Sequence, residues 1–199
     1  MQDSIGRVTR CSTRGFVSAL RTPEPHLPIF GSFCTAGAQG GESQVVGLIY
    51  DISIQDDEFA RQMAVAEGAA PEELSDSQVN RQVPVEFSAL AVGYGREGGY
   101  IHRLPPQPPM TLAPVLPMPE DQVREFTERL DFLRIVVSTP QLPVDDLLVA
   151  ALEIAASARP SSERRGFLLQ GGKAITRLIS DDLTRLDGLL QRFGEGPWP

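Results

Sequence analysis

Lysine is almost absent from this chain. Lys173 is the only one, and with the arginines counted 18 basic residues stand against 26 acidic ones, for a formal net charge of −8. Affinity for a phosphate backbone comes mainly from Lys and Arg releasing counterions, so this balance argues against a dedicated nucleic-acid binder. Cysteine is scarce too: Cys11 and Cys34 are too few for a disulfide scaffold and too far apart for a CxxC motif, and both are read as reduced. No run of about 18 apolar residues is present. The opening "MQDSIGRVTRCSTRG" lacks the basic-then-apolar order of a signal peptide, so a cytoplasmic protein without membrane segments is expected. Only two histidines occur, His26 and His102, both in proline-rich surroundings, with no HExxH and no Cys/His pairing at ligand spacing. There is no GxSxG elbow. Neither a metal, a cofactor nor a catalytic function is expected.

What is present is ordinary for a globular protein, with 41% hydrophobic and 22% charged residues, enough to bury a core. The first part reads as strands. Ser4 to Thr9 and Gly15 to Leu20 alternate apolar and polar around the turn-like "STRG", which predicts a hairpin. "RTPEPHLP" cannot join a sheet interior, "IFGSFCTAG" predicts a third strand, and "QVVGLIYDISI" is apolar enough to be buried on both faces. Gly47 within it marks a bulge or a close backbone approach. Residues 56–82 turn to helix formers with acidic starts and predict a helical insertion, after which "VPVEFSALAVGYG" and "GYIHRLPP" return to strand periodicity. At "PPQPPMTLAPVLPMP" the proline density predicts an extended linker, so a first domain is expected over residues 1–116 and a helical one over 117–199.

The second part has helical periodicity. "PEDQVREFTERLDFLRIVV" predicts one helix with Val123, Phe126, Leu130 and Leu133 on a stripe, and "PVDDLLVAALEIAASA" a second, more apolar one. A third starts near Ser161, with a break expected at Gly171 and Gly172. Its continuation places Ile175, Ile179, Leu183, Leu186, Leu190 and Phe193 on a single seam that packs either within this chain, as neighbouring amphipathic helices usually do, or against a partner.

Two stretches invite a nucleotide and neither fits. Gly93, Gly95 and Gly98 have dinucleotide-fingerprint spacing, but "GYIHRLPP" follows, and a segment with two prolines cannot open the helix whose amides would hold a pyrophosphate. A glycine-bearing hairpin turn is expected instead. "FLLQGGKAIT" offers Gly172 and Lys173 for a phosphate loop, yet Phe167 and Ala174 stand where glycine and a hydroxyl are required. Lys173 is then a surface residue. Asp145–Asp146 and Asp181–Asp182 are adjacent, so on a helix they do not share a face; placed at helix starts, they read as N-terminal charges favoured by the macrodipole.

The run "SIGRVT", "GFVSAL", "PIFGSFCTA", "VVGLIYDISI", "VEFSALAVGYG" and "YIHRLPPQPP" resembles the HAS barrel, the small β-barrel at the N-terminus of HerA-type DNA-translocating ATPases. That barrel is related to the N-terminal barrel of ATP synthase catalytic-ring subunits. Ile5, Gly6, Arg7 and Val8 match its opening strand, Val46, Gly47, Leu48 and Ile49 its Val-Gly strand, and Leu104, Pro105, Pro106 and Pro108 its proline-rich exit. The likeness spans roughly residues 4–116. It implies a small closed antiparallel barrel, and with the helical insertion and the C-terminal helical region read from the pattern the chain is expected to be α+β. Where such enzymes carry their phosphate loop, this chain has about 80 residues of helical pattern, so the resemblance implies the barrel without the motor. In that family the barrel organises ring subunits and, in HerA, docks the nuclease NurA.

The first function expected is therefore a non-catalytic interaction module, an adaptor or regulator of a ring ATPase, nuclease or other DNA-processing assembly, either with a protein partner or as a homo-oligomer. The residues expected to carry it are Arg7, Arg10, Arg14, Phe16 and the seam. The second is nucleic-acid binding by the barrel through Arg7, Arg10, Arg14 and Arg21 with Phe16 as a stacking platform, opposed by the net charge. The third is an enzyme whose site is assembled only by the fold, around His26 or His102.

Overall fold

The computed structural model describes residues 3–23, 26–54, 61 and 82–192. The chain is α+β. Its strands are β1 (Gly6–Ser12), β2 (Gly15–Pro23), β3 (Phe33–Ala38), β4 (Ser43–Ile54), β5 (Gln82–Arg96), β6 (Gly99–Ile101) and β7 (Pro114–Pro117). They are followed by α1 (Glu120–Phe126), α2 (Leu133–Val137), α3 (Val144–Ser157), α4 (Ser161–Leu178) and α5 (Leu183–Arg192). Every strand pairing is antiparallel, and the order β2-β1-β7-β3-β4-β5 closes on itself because β5 also pairs with β2, from Gly15↔Leu90 to Pro23↔Gln82. Six strands thus form a barrel, and β6 adds a short flap to β5. Closure removes the free edges that an open sheet of these lengths would present.

The strand that completes the circuit is a correction to the expected linker. Pro114–Pro117 lies between β1 and β3, with Val115 opposite both Gly6 and Ala36. Prolines at both ends of β7 have no N–H to give, but Val115 and Leu116 between them keep theirs, and the fully buried Val115 anchors the strand in the barrel. The segment just before β7 is pinned as well: the Met110 amide donates to Gly37 O at 2.9 Å, and the Leu112 amide to Val8 O at 2.8 Å. Proline density forbids helix; it permits a strand this short.

Two cores result from the alternation along β4. Val45 and Ile49 point into the barrel with Val8, Phe16, Phe87 and Val115, while Val46 and Leu48 point outward beneath the helices with Phe33, Leu90 and Val92. The expectation that this strand is buried on both faces holds, and the helical region packs directly on the barrel wall. The helical insertion expected at about 56–82 lies almost entirely outside the described residues.

The single helix expected over residues 119–137 is two. Phe126 and Phe132 both make edge contacts with Phe33, each at 5.7 Å between ring centroids, and stand 5.5 Å from each other. On a continuous helix six residues would separate them by about 9 Å of rise and a third of a turn, so the chain breaks to bring both rings to one point. The opposite error occurs in α4, which runs unbroken through Gly171 and Gly172. A Cβ on Gly171 would lie 2.8 Å from Leu152 Cδ1, so this glycine serves the contact with α3 and ends nothing. The helix stops only after Leu178, and Asp182 caps α5 by accepting the Arg185 amide at 3.0 Å. Among the described residues no helix is long and apolar enough to cross a membrane.

Candidate functional site

The hairpin β1–β2 carries the arginines, and a bulge decides where they go. Val8 and Arg10 are two apart and in a regular strand would share a face, which would send Arg10 into the barrel beside the buried Val8. The register with β2 slips between these two residues, so Arg10 instead reaches the exterior. There Arg10 and Arg14, both exposed, line a concavity of about 380 Å³ together with Val17, Tyr50, Leu90 and, from the loop between α2 and α3, Thr139, Gln141 and Leu142. Arg7 is engaged elsewhere, donating from Nη1 to Leu112 O at 3.1 Å and holding the proline segment. Arg21 sits at the far end of β2, seven residues and about 23 Å of strand from Arg14. The four arginines therefore do not form one patch.

Phe16 is not available as a stacking platform. It is 3% exposed and faces the barrel interior against Gly47, so its expected role at an interface is corrected to a core role. The seam is divided too. Ile175, Ile179 and Leu186 belong to the core shared with the barrel wall, so they hold this chain together and present no surface to a partner. Leu183 is 73% exposed and Leu189, absent from the expected seam, is buried instead. The break at 179–182 resets the helical phase, which a count of steps along an unbroken helix could not detect. The side chain of Leu190 and all of Phe193 lie outside the described residues.

The glycine segment, expected as a hairpin turn from Gly93 to Gly99, is one only at its end. Gly93 and Gly95 lie inside β5, and Gly98, with φ of 99°, forms the turn to β6. Lys173 is exposed in the middle of α4, where no phosphate loop exists. His26 is exposed. His102 packs 4.4 Å from Phe126 and 6.0 Å from Phe132 between ring centroids, with Nδ1 buried and unpartnered. Burial pushes its pKa down, against the opposing pull of Asp131 and of a hydrogen bond with the Phe126 backbone, while Arg129 adds to the lowering. Asp131 is already held by Arg129 at 2.5 Å. Among the described residues no group of three or more His, Cys, Asp and Glu is placed to hold a metal.

Asp145 and Asp146 stand in the first turn of α3, as expected of helix-start charges, and each also takes its own arginine from α5. Arg185 donates to Asp145 from Nε at 2.8 Å and Nη2 at 2.6 Å, and Arg192 reaches Asp146. These pairs clip α5 to α3. A further residue that sequence reasoning missed is Arg159. Its buried guanidinium donates to Ala155 O at 2.6 Å and Thr127 Oγ1 at 2.9 Å, and it lies 3.7 Å from the centroid of Phe167. It ties the end of α3 to α1, and burial lowers its pKa. Nothing in the spacing around Arg159 distinguishes it from a surface arginine. No family model matches the chain, and no curated protein matches it.

Proposed function

We propose that this chain is a non-catalytic interaction module of the cytoplasm, an adaptor or regulator within an assembly of the kind served by HerA-type ring ATPases and their nucleases. The observation that carries this reading is the barrel-and-helix body that presents Arg10 and Arg14 on an open groove with neither guanidinium engaged by any described residue. A closed antiparallel barrel is also the fold that resemblance to the HAS barrel implies, and it supports the same reading. Catalysis has less to support it: His102 lines none of the four concavities described, and its carboxylate neighbour Asp131 is paired with Arg129. Nucleic-acid binding loses its stacking residue to the core and two of its four arginines to other positions. The test is purification of a tagged copy from its native host, followed by native mass spectrometry. A stoichiometric complex with another protein, or a homo-oligomer, is expected; a solitary monomer at every concentration would overturn the reading.

A further inference from the structure

Four concavities are described in this molecule, and three carry carboxylates: Glu42 and Glu125 in one, Asp145 and Asp146 in the second, Glu128 and Glu163 in the third. The fourth, between the β1–β2 hairpin and the Thr139–Leu142 loop, is lined by no acid among the described residues, and its only charged residues among them are Arg10 and Arg14. In a chain of net charge −8 this is a local reversal of sign. Neither guanidinium makes a hydrogen bond or ion pair with any described residue. Its floor includes the buried apolar side chains of Val17 and Leu90 and the half-buried Leu142.

We propose that this groove is the docking site for an acidic segment of a partner protein, with carboxylates on Arg10 and Arg14 and an apolar side chain on the floor. The inference rests on the interaction-module reading and names the chemistry of its partner. A cationic rim around an apolar base matches a peptide that alternates acidic and apolar residues. Nucleic acid fits less well, because two arginines release only about two counterions while the rest of an acidic surface repels the phosphates.

Both walls of the groove are fixed before anything binds. Gly15 abuts β5 so closely that a Cβ would stand 2.3 Å from Ala89 O, and Arg14 O accepts the Ala91 amide at 3.0 Å. The Arg14 amide donates to Ser12 Oγ at 3.2 Å. Opposite, Thr139 Oγ1 donates to Ile135 O at 2.8 Å, and the Leu142 amide returns to Thr139 O at 3.1 Å. A segment entering the groove orders two arginine side chains and itself, with no loop to rearrange, which lowers the entropic cost of docking.

The test uses the full chain, isotope-labelled for NMR, titrated with short synthetic peptides that alternate Glu with Leu or Phe. Matched peptides with Lys for Glu and an oligothymidine serve as comparisons. Shifts confined to Arg10, Arg14, Thr139 and Gln141 are expected with the acidic peptides only. Binding should weaken roughly tenfold or more in the Arg10→Glu/Arg14→Glu variant and remain close to wild type in Arg10→Lys/Arg14→Lys. Both positions are exposed, so unchanged spectra elsewhere show that the variants fold. No shifts, shifts mapping to another face, or stronger binding of oligothymidine would each overturn the proposal. Binding that appears only after Asp56, Asp57 and Glu58 are changed to their amides would overturn it in favour of this chain's own acidic residues as occupant. A natural partner retained equally by the Arg10→Glu/Arg14→Glu variant sinks the groove and leaves the interaction-module reading standing. A wild-type chain that recovers no partner and stays a monomer sinks that reading, and the docking role of the groove with it.

Discussion

The ring of Phe16 occupies the space in front of Gly47: a Cβ there would stand 2.8 Å from Phe16 Cζ and 3.0 Å from Ala89 Cβ. β2, β4 and β5 meet at this point inside the barrel, and the register of β4 against β5 slips at the same residue. Gly47→Ala should therefore overpack the interior and lower stability by about 1–3 kcal/mol, measured as a shift of the urea midpoint. Adding Phe16→Leu to Gly47→Ala should recover part of that loss. Strictly additive effects would show that the two residues are uncoupled.

This contact was readable in outline, because a lone glycine in an apolar strand signals either a bulge or a close approach, and Gly47 has both. The strands were legible for the same reason: alternation with period two and punctuation by Gly and Pro are local properties. Other features depended on distant residues. Pro114–Pro117 reads as linker until β1 and β3 are seen on its two sides, and Gly171 reads as a helix break until Leu152 is seen against it. At the candidate site, the exposure of Arg10 turned on a bulge that no pattern announces, and the burial of Phe16 on the space that distant Gly47 leaves for its ring, since Phe16, Val17 and Ser18 are all buried and alternation alone does not assign a face. The pairing of Asp145 with Arg185, forty residues away, left no trace in local spacing.

His102 makes stability depend on pH. Burial holds its folded-state pKa below the ordinary 6.5, so as pH falls through that value the unfolded chain takes up a proton that the folded one resists. This contribution is present above 6.5 and is lost as pH falls below it towards the lower folded-state value. His102→Phe places a neutral ring among Phe126 and Phe132 and removes this contribution. The difference between wild-type and variant urea midpoints, followed across that window, should grow in the variant's favour as pH falls. A constant difference would mean that His102 is not the group responsible.

Cys34 is fully buried, donates to Gly47 O at 3.6 Å, and has its pKa raised by desolvation. The thiolate is the reactive form, so this residue should resist alkylation as long as the barrel stays closed. Mass spectrometry after iodoacetamide treatment should show at most one adduct, on Cys11, in native buffer and two in urea. Labelling of Cys34 at the native-buffer rate of Cys11 would indicate that the strands open far more readily than their pairing suggests.

Leu183 and Leu189 test where the phase of the last helix was reset. Six residues apart on α5, they sit at 73% and 1% exposure, and only the second touches the core beneath the helices. Leu189→Ala removes buried side-chain volume and should cost about 2–5 kcal/mol, whereas Leu183→Ala should stay within about 0.5 kcal/mol of wild type. The clip between Arg185 and Asp145 predicts a third value. Both side chains are about a third exposed, so a double-mutant cycle to Ala should return a coupling of about 0.2–1 kcal/mol, diminishing with salt. If Leu183→Ala proved the costlier substitution, the uninterrupted seam from Ile175 would be restored and the clip would lose its geometric basis.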